Sequence, residues 1–153
     1  MRVNQVLLTL HILATATWIG AALALQIIGR RMRSPTRDAA VDGFALDAEA
    51  VGKTVFGPAS VILLVTGVAL VERENLGWGA PWILVGIGLL AVVLAVGGAF
   101  LIPEGRRIAE LARTPGHDPA EVRDRTTRRL LVARVDLALL IVAVADMVFR
   151  PGG

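Results

Sequence analysis

The chain has 153 residues, 55% hydrophobic and only 19% charged, with a mean hydropathy of +0.66. A soluble domain carries roughly 25% charge, and here the charges gather in blocks between long apolar runs, which is a membrane pattern. The lack of cysteine excludes disulfides, thiolate metal sites and cysteine nucleophiles, and the net charge of +3 sits in loop arginines suited to anionic lipid headgroups, not nucleic acid.

The first run, Val6 to Ile28, holds no Asp, Glu, Lys or Arg. It reaches the ~20 residues a helix needs to cross a bilayer. Ala22-Leu23-Ala24 has the form of a signal-peptide cleavage site, but the run is longer than a signal core and its arginines follow it, so an uncleaved span is expected. His11, Thr15, Trp18, Ala22 and Gln26 share one helical face. Such a stripe should face other helices, since unpaired polar groups are costly in hydrocarbon. Ala16, Gly20 and Ala24 form a small-residue row suited to helix contact.

Residues 29–54 form a charged connection. Ser34-Pro35 predicts an N-cap and a first helical proline. Val41, Phe44, Ala48 and Val51 recur at helical spacing with Asp38, Asp42 and Glu49 off that face, which predicts a short amphipathic helix lying on lipid. The second span is 55–71, with Gly57-Pro58 in its first turn. A tight loop follows, with Trp78 and Trp82 as interfacial anchors and Pro81 placed to start a helix.

The third span, 82–102, has no ionisable residue, offers Gly88, Ala91, Ala95 and Ala99 as a packing seam, and is expected to end at Pro103. Residues 103–129 are a second basic connection with a short helix that stops at Thr114-Pro115-Gly116. His117 is expected to be solvated in the turn. Asp118-Pro119-Ala120-Glu121 has the form of a capped helix start, and that helix is expected to run unbroken into the fourth span, 130–149. This span contains Arg134, placed to snorkel, and the carboxylates Asp136 and Asp146. A mid-helix carboxylate costs ~3 kcal/mol on insertion scales.

The two long connections carry most of the arginines. The positive-inside rule therefore places them in the cytoplasm and both termini outside. The reading is an all-α fold: one membrane domain over 1–153, a four-helix transmembrane bundle with short amphipathic cytoplasmic helices, in the inner (cytoplasmic) membrane of the cell. Its partners are the bilayer, anionic headgroups at the arginine-rich loops, and further copies of the chain or a larger membrane complex.

Chemistry has few footholds. His11 and Asp146 fall in the outer half of the membrane, where a contact would satisfy both groups. A sharper alternative makes His11 a haem or metal ligand with Met147 as a soft second ligand. Met147 lies roughly 100° from Asp146, so the two are expected to meet different partners. A third alternative is a proton or cation path through His11, Asp136 and Asp146. There is no Ser–His–Asp set, phosphate-cradling glycine loop or paired-histidine motif, so no catalytic residue is assigned and a non-enzymatic role is expected.

Leu10-His11-Ile12 followed by Trp18-Ile19-Gly20, Phe56-Gly57-Pro58, Thr66-Gly67 and the closing Met147-Val148-Phe149-Arg150-Pro151 resemble, in order and nearly end to end, the bacterial predicted integral membrane proteins grouped as domain of unknown function 2269. That resemblance implies a four-helix membrane bundle. The histidine opening is also similar to the HemJ-type protoporphyrinogen oxidases and the CopD-type copper-resistance proteins. The HemJ likeness implies haem at His11, although this chain lacks a lysine in its third span.

Overall fold

The computed structural model describes residues 2–150. Helix α1 spans Arg2–Arg31. A 3-10 turn, Pro35–Arg37, leads into α2, Asp38–Val51. A π-helical turn, Gly52–Phe56, joins α2 without a break to α3, Gly57–Arg73. Helix α4, Pro81–Val96, passes through a second π-helical turn, Gly97–Leu101, into α5, Ile102–Arg113. Helix α6, Pro119–Phe149, completes the fold. No strand occurs among the described residues.

Three continuous helices are long and apolar enough to cross a membrane: Arg2–Arg31, Ala40–Arg73 and Pro81–Arg113. Two of them absorb what the sequence suggests are separate surface helices. Pro103 does not stop the third. It sits at the second position of α5, just past the π turn, whose wider i→i+5 winding takes up the missing N–H and the ring bulk. Pro35 does open the helical stretch, but as a 3-10 turn closed by Arg37 N donating to Ser34 O at 3.0 Å; the α-helical winding starts at Asp38, and the Ser34 side chain pairs with Thr36 Oγ1 (2.8 Å). The start of α6 is as expected: the Asp118 side chain accepts from Ala120 N at 2.9 Å ahead of Pro119. The closing Pro151-Gly152-Gly153 lies outside the described residues.

Helix α3 packs on α1, α1 on α6, and α6 on α4, while α3 and α4 do not close the ring. At the end remote from the arginine-rich connections Arg73 Nε donates to Asn4 Oδ1 (2.8 Å) and Asn4 Nδ2 to Glu74 Oε1 (2.5 Å), tying α1 to the end of α3. Asn75 and Gly77 take positive φ in the tight α3–α4 loop, a conformation both residue types tolerate.

The buried apolar cluster lies at the arginine-rich end. Val41, Phe44, Ala45 and Ala48 of α2 bury against Ile108 of α5 and Val122 and Leu130 of α6. The amphipathic face of α2 therefore meets protein, not lipid. A helix continuous with a span cannot lie flat on the interface, and α5 and α6 supply a second apolar surface at the same level. The two small-residue rows also face away from the bundle: Ala16, Gly20 and Ala24, and Gly88, Ala91, Ala95 and Ala99, are all exposed. Helix contact goes instead through Ala14, Gln26 and Gly29 of α1 and through Ile83, Gly86 and Val93 of α4.

Candidate functional site

The polar stripe of α1 does turn inward. His11 Nδ1 lies 2.8 Å from Thr66 Oγ1 of α3, and the Thr66 hydroxyl lies 2.6 Å from Ile62 O. A hydroxyl has one proton. If Ile62 O takes it, His11 Nδ1–H must donate to Oγ1, leaving Nε2 with the lone pair. Gly67 lies next to the ring, where an added Cβ would stand 3.4 Å from His11 Cε1, in van der Waals contact. Thr15 turns its hydroxyl back to His11 O (2.8 Å), Trp18 packs on Phe56 with ring centroids 6.0 Å apart, and the buried Gln26 donates Nε2 to Leu130 O at 2.8 Å.

His11, Thr15 and Met147 share a small cavity where α1, α3, α4 and α6 converge, walled by Leu63, Leu90, Leu140, Ala143 and Val144. Its volume is about 20 Å³. One water needs ~10–15 Å³ by this measure, so the space admits a water and not a haem. His11 and Met147 thus line one cavity, whereas among the described residues no hydrogen bond or ion pair joins His11 to Asp146. Asp146 Oδ2 is buried without a partner. It lies beside Gly86 of α4, where an added Cβ would stand 3.5 Å from Oδ2 and 3.3 Å from Met147 Cε. Adjacent residues of α6 therefore straddle one glycine, and the expected 100° separation does not send them to different partners. Asp136 is buried with Oδ1 unpartnered, and Arg134 does not snorkel free: its Nε is buried and its Nη2 sits 3.5 Å from Gln26 Oε1. Among the described residues, no group of three His, Cys, Asp or Glu is arranged to hold a metal.

The arginine-rich end holds a second arrangement. Here α2 presents its acidic face to the basic faces of α5 and α6. Asp38 accepts from Arg123 at 2.6 Å, and Glu49 from Lys53 (2.6 Å) and Arg113 (2.9 Å). Hydrogen bonds from Lys53 and then Arg113 hold the Glu49 carboxyl below its ordinary pKa. His117 is not solvated: Nδ1 lies 2.8 Å from Thr114 O and Nε2 3.0 Å from Asp42 Oδ1, leaving its side chain 12% exposed. The Thr114 carbonyl, then Asp42, raises its pKa.

Behind these pairs lies a cavity of about 260 Å³ lined by Gly52 and Lys53 of the first π turn, Glu49 and Gly57 on either side of it, Ile102, Gly105 and Arg106 of α5 just past the second, and Arg129 of α6. Arg129 Nε donates to Leu101 O at 3.0 Å, and its guanidinium lies on Gly105, where a Cβ would stand 2.9 Å from Nη2. Neither this cavity nor the His117 tie is foreseen from sequence. The only local signal is the density of arginine, because the partners are 28 residues apart for Arg129 and Leu101 and 75 for His117 and Asp42.

An all-helical chain with three helices able to cross a membrane, polar groups turned inward and basic residues gathered at one end, is an integral membrane protein. The chain belongs to the predicted integral membrane proteins of domain of unknown function 2269, which it matches over residues 5–151. No curated protein and no solved structure matches the chain.

Proposed function

We propose that this chain is a non-enzymatic four-span protein of the cell membrane, a bundle or accessory subunit of a membrane complex, with both termini outside and its arginine-rich end at the cytoplasmic headgroups. The observation that carries the reading is the state of His11. Its Nδ1 is engaged by the buried Thr66, and the space beside it is about 20 Å³. A buried hydrogen bond between helices locks a bundle, and room for one water leaves none for a prosthetic group. The same reading makes α6 the fourth span, supported by its 31-residue length and its packing along α4 and α1.

The test is visible absorption of the purified protein, oxidised and reduced, with haemin supplied, beside His11→Ala. The expected result is no Soret band that depends on His11, and a lower melting temperature for the variant. A band lost with His11 would replace this reading with a haem-binding redox protein. A second reading, ion or solute transport, draws on the unpartnered buried oxygens of Asp136 and Asp146. Flux in proteoliposomes that is abolished by Asp136→Asn or Asp146→Asn would establish it.

A further inference from the structure

We propose that the cavity between the two π-helical turns binds the phosphate of an anionic membrane lipid, clasped by Arg129 with Lys53 and Arg106. This deepens the reading of the arginine-rich end as the headgroup-facing end, and rests on it.

Arg129 is the central residue. It sits at the inner wall of the cavity, half-buried, and only its Nε is spent, on Leu101 O. Among the described residues no carboxylate forms an ion pair with it. The nearby acids are committed elsewhere: Glu49 to Lys53 and Arg113, Glu104 to Arg107 and Arg125. A guanidinium withdrawn from water without a counter-charge is costly. Its remaining fork of N–H donors matches a phosphate oxygen pair. Arg106, which forms no ion pair among the described residues, adds a second cation to the lining, and Lys53 a third that is paired with Glu49 at 2.6 Å, so the lining stays net positive.

The walls suit such a group. Gly52, Gly57 and Gly105 leave backbone exposed to the cavity, and Gly105 in particular is the floor on which the guanidinium rests. A volume of about 260 Å³, against about 20 Å³ beside His11, leaves room for a headgroup phosphate.

Depth decides between a lipid and a free phosphate. Lys53 precedes the second apolar run, Arg106 follows the third, and Arg129 precedes the fourth, so all three cations stand where apolar runs meet the basic connections. The exposed Ile102 lines the cavity on the apolar side. On the apolar side of Ile102, α3 and α4 do not pack on each other and expose Val61, Val65 and Val92 within about twelve residues of the cavity's lining. A lipid seated by its phosphate thus has a place for its acyl chains, which inorganic phosphate does not use.

Native mass spectrometry of the full chain released from detergent micelles, titrated with phosphatidylglycerol or phosphatidylcholine, tests this. The wild type should prefer phosphatidylglycerol. Arg129→Gln should weaken that binding about tenfold, the order set by losing charge-assisted hydrogen bonds. Arg106→Gln, an exposed position that will not disturb folding, should weaken it several-fold, on the order of one screened charge contact. Arg128→Gln, exposed and outside the cavity, should leave it unchanged. Equal losses in Arg106→Gln and Arg128→Gln would overturn the site while leaving the general headgroup reading intact. No preference for phosphatidylglycerol in the wild type would overturn both. Displacement of the lipid by inorganic phosphate at equal concentration would show a soluble-anion site and overturn the lipid assignment.

Discussion

Gln26 donates from α1 into α6 at Leu130 O, and Gly29, one turn on, lies against the Leu130 side chain. A Cβ at Gly29 would overlap Leu130 Cδ1 and press on Phe44, whereas one at Gly20 would meet nothing within 4 Å. Gly29→Ala is therefore expected to cost about 1–3 kcal/mol by overpacking, and Gly20→Ala to stay within ~0.5 kcal/mol as an exposed change. Thermal unfolding of both in detergent checks the contrast. His117 makes a second residue-scale prediction. Its pKa is raised in the fold by the Thr114 carbonyl, Asp42 and Asp118. A raised pKa means that its contribution is complete below the ordinary value of 6.5 and is lost as pH climbs through the higher folded value. Hydrogen exchange of α2 should thus quicken as pH rises through this window, beyond the intrinsic pH dependence, and His117→Ala should remove the excess. Glu49 works in the opposite sense: its lowered pKa makes its contribution complete above 4.5 and lost as pH falls through the lower folded value.

The π turns set how each long helix presents its two halves. One extra residue in a π turn rotates the downstream helix by about 100°. Removing Ala99 from Gly97–Leu101 should therefore swing Gly105, Ile108 and Ala109 away from α2 and release Arg113 from Glu49. Trypsin should then cut the arginines of α5 and the start of α6 at least several-fold faster, while Gly98→Ala, which meets open space, should not change the pattern. These elements also mark how far the fold is legible in the sequence. The apolar runs, the inward polar stripe and the Asp118 cap are local patterns, and each can be read from a few neighbouring residues. Pro103 misleads because a proline predicts a stop only when the winding stays α-helical. The small-residue rows mislead because a glycine's use depends on what faces it: Gly86 receives Met147 and Asp146, while Gly88 two positions on meets nothing. The His11–Thr66 bond and the Arg129 cavity join residues far apart in the chain, and composition holds no signal for either pairing.

At the scale of the molecule, charge and packing make a consistent case about sidedness. Helix α6 fails the apolar test that the other three pass, and Arg134, Asp136 and Asp146 are why. Yet Asp136 is buried and the other two are half-buried, so the bundle and not lipid receives them. A helix whose charges are hidden by its neighbours can span where its bare hydropathy argues against it. The cysteine-free chain gives a clean test through single-cysteine variants labelled with an impermeant maleimide in sealed cells. Thr36→Cys and Pro115→Cys should be protected until the membrane is opened. Arg2→Cys, Gly79→Cys and Arg150→Cys should label at once. Four spans require Arg150→Cys to behave like Gly79→Cys. If it is protected alongside Pro115→Cys, α6 does not cross, three spans remain, and the two termini lie on opposite sides. The arginine count does not separate the two arrangements, because the α1–α2 and α5–α6 connections follow the first and third spans and so share one face of the membrane, with the Arg129 cavity, whether or not α6 crosses; the side on which Arg150→Cys labels decides between them.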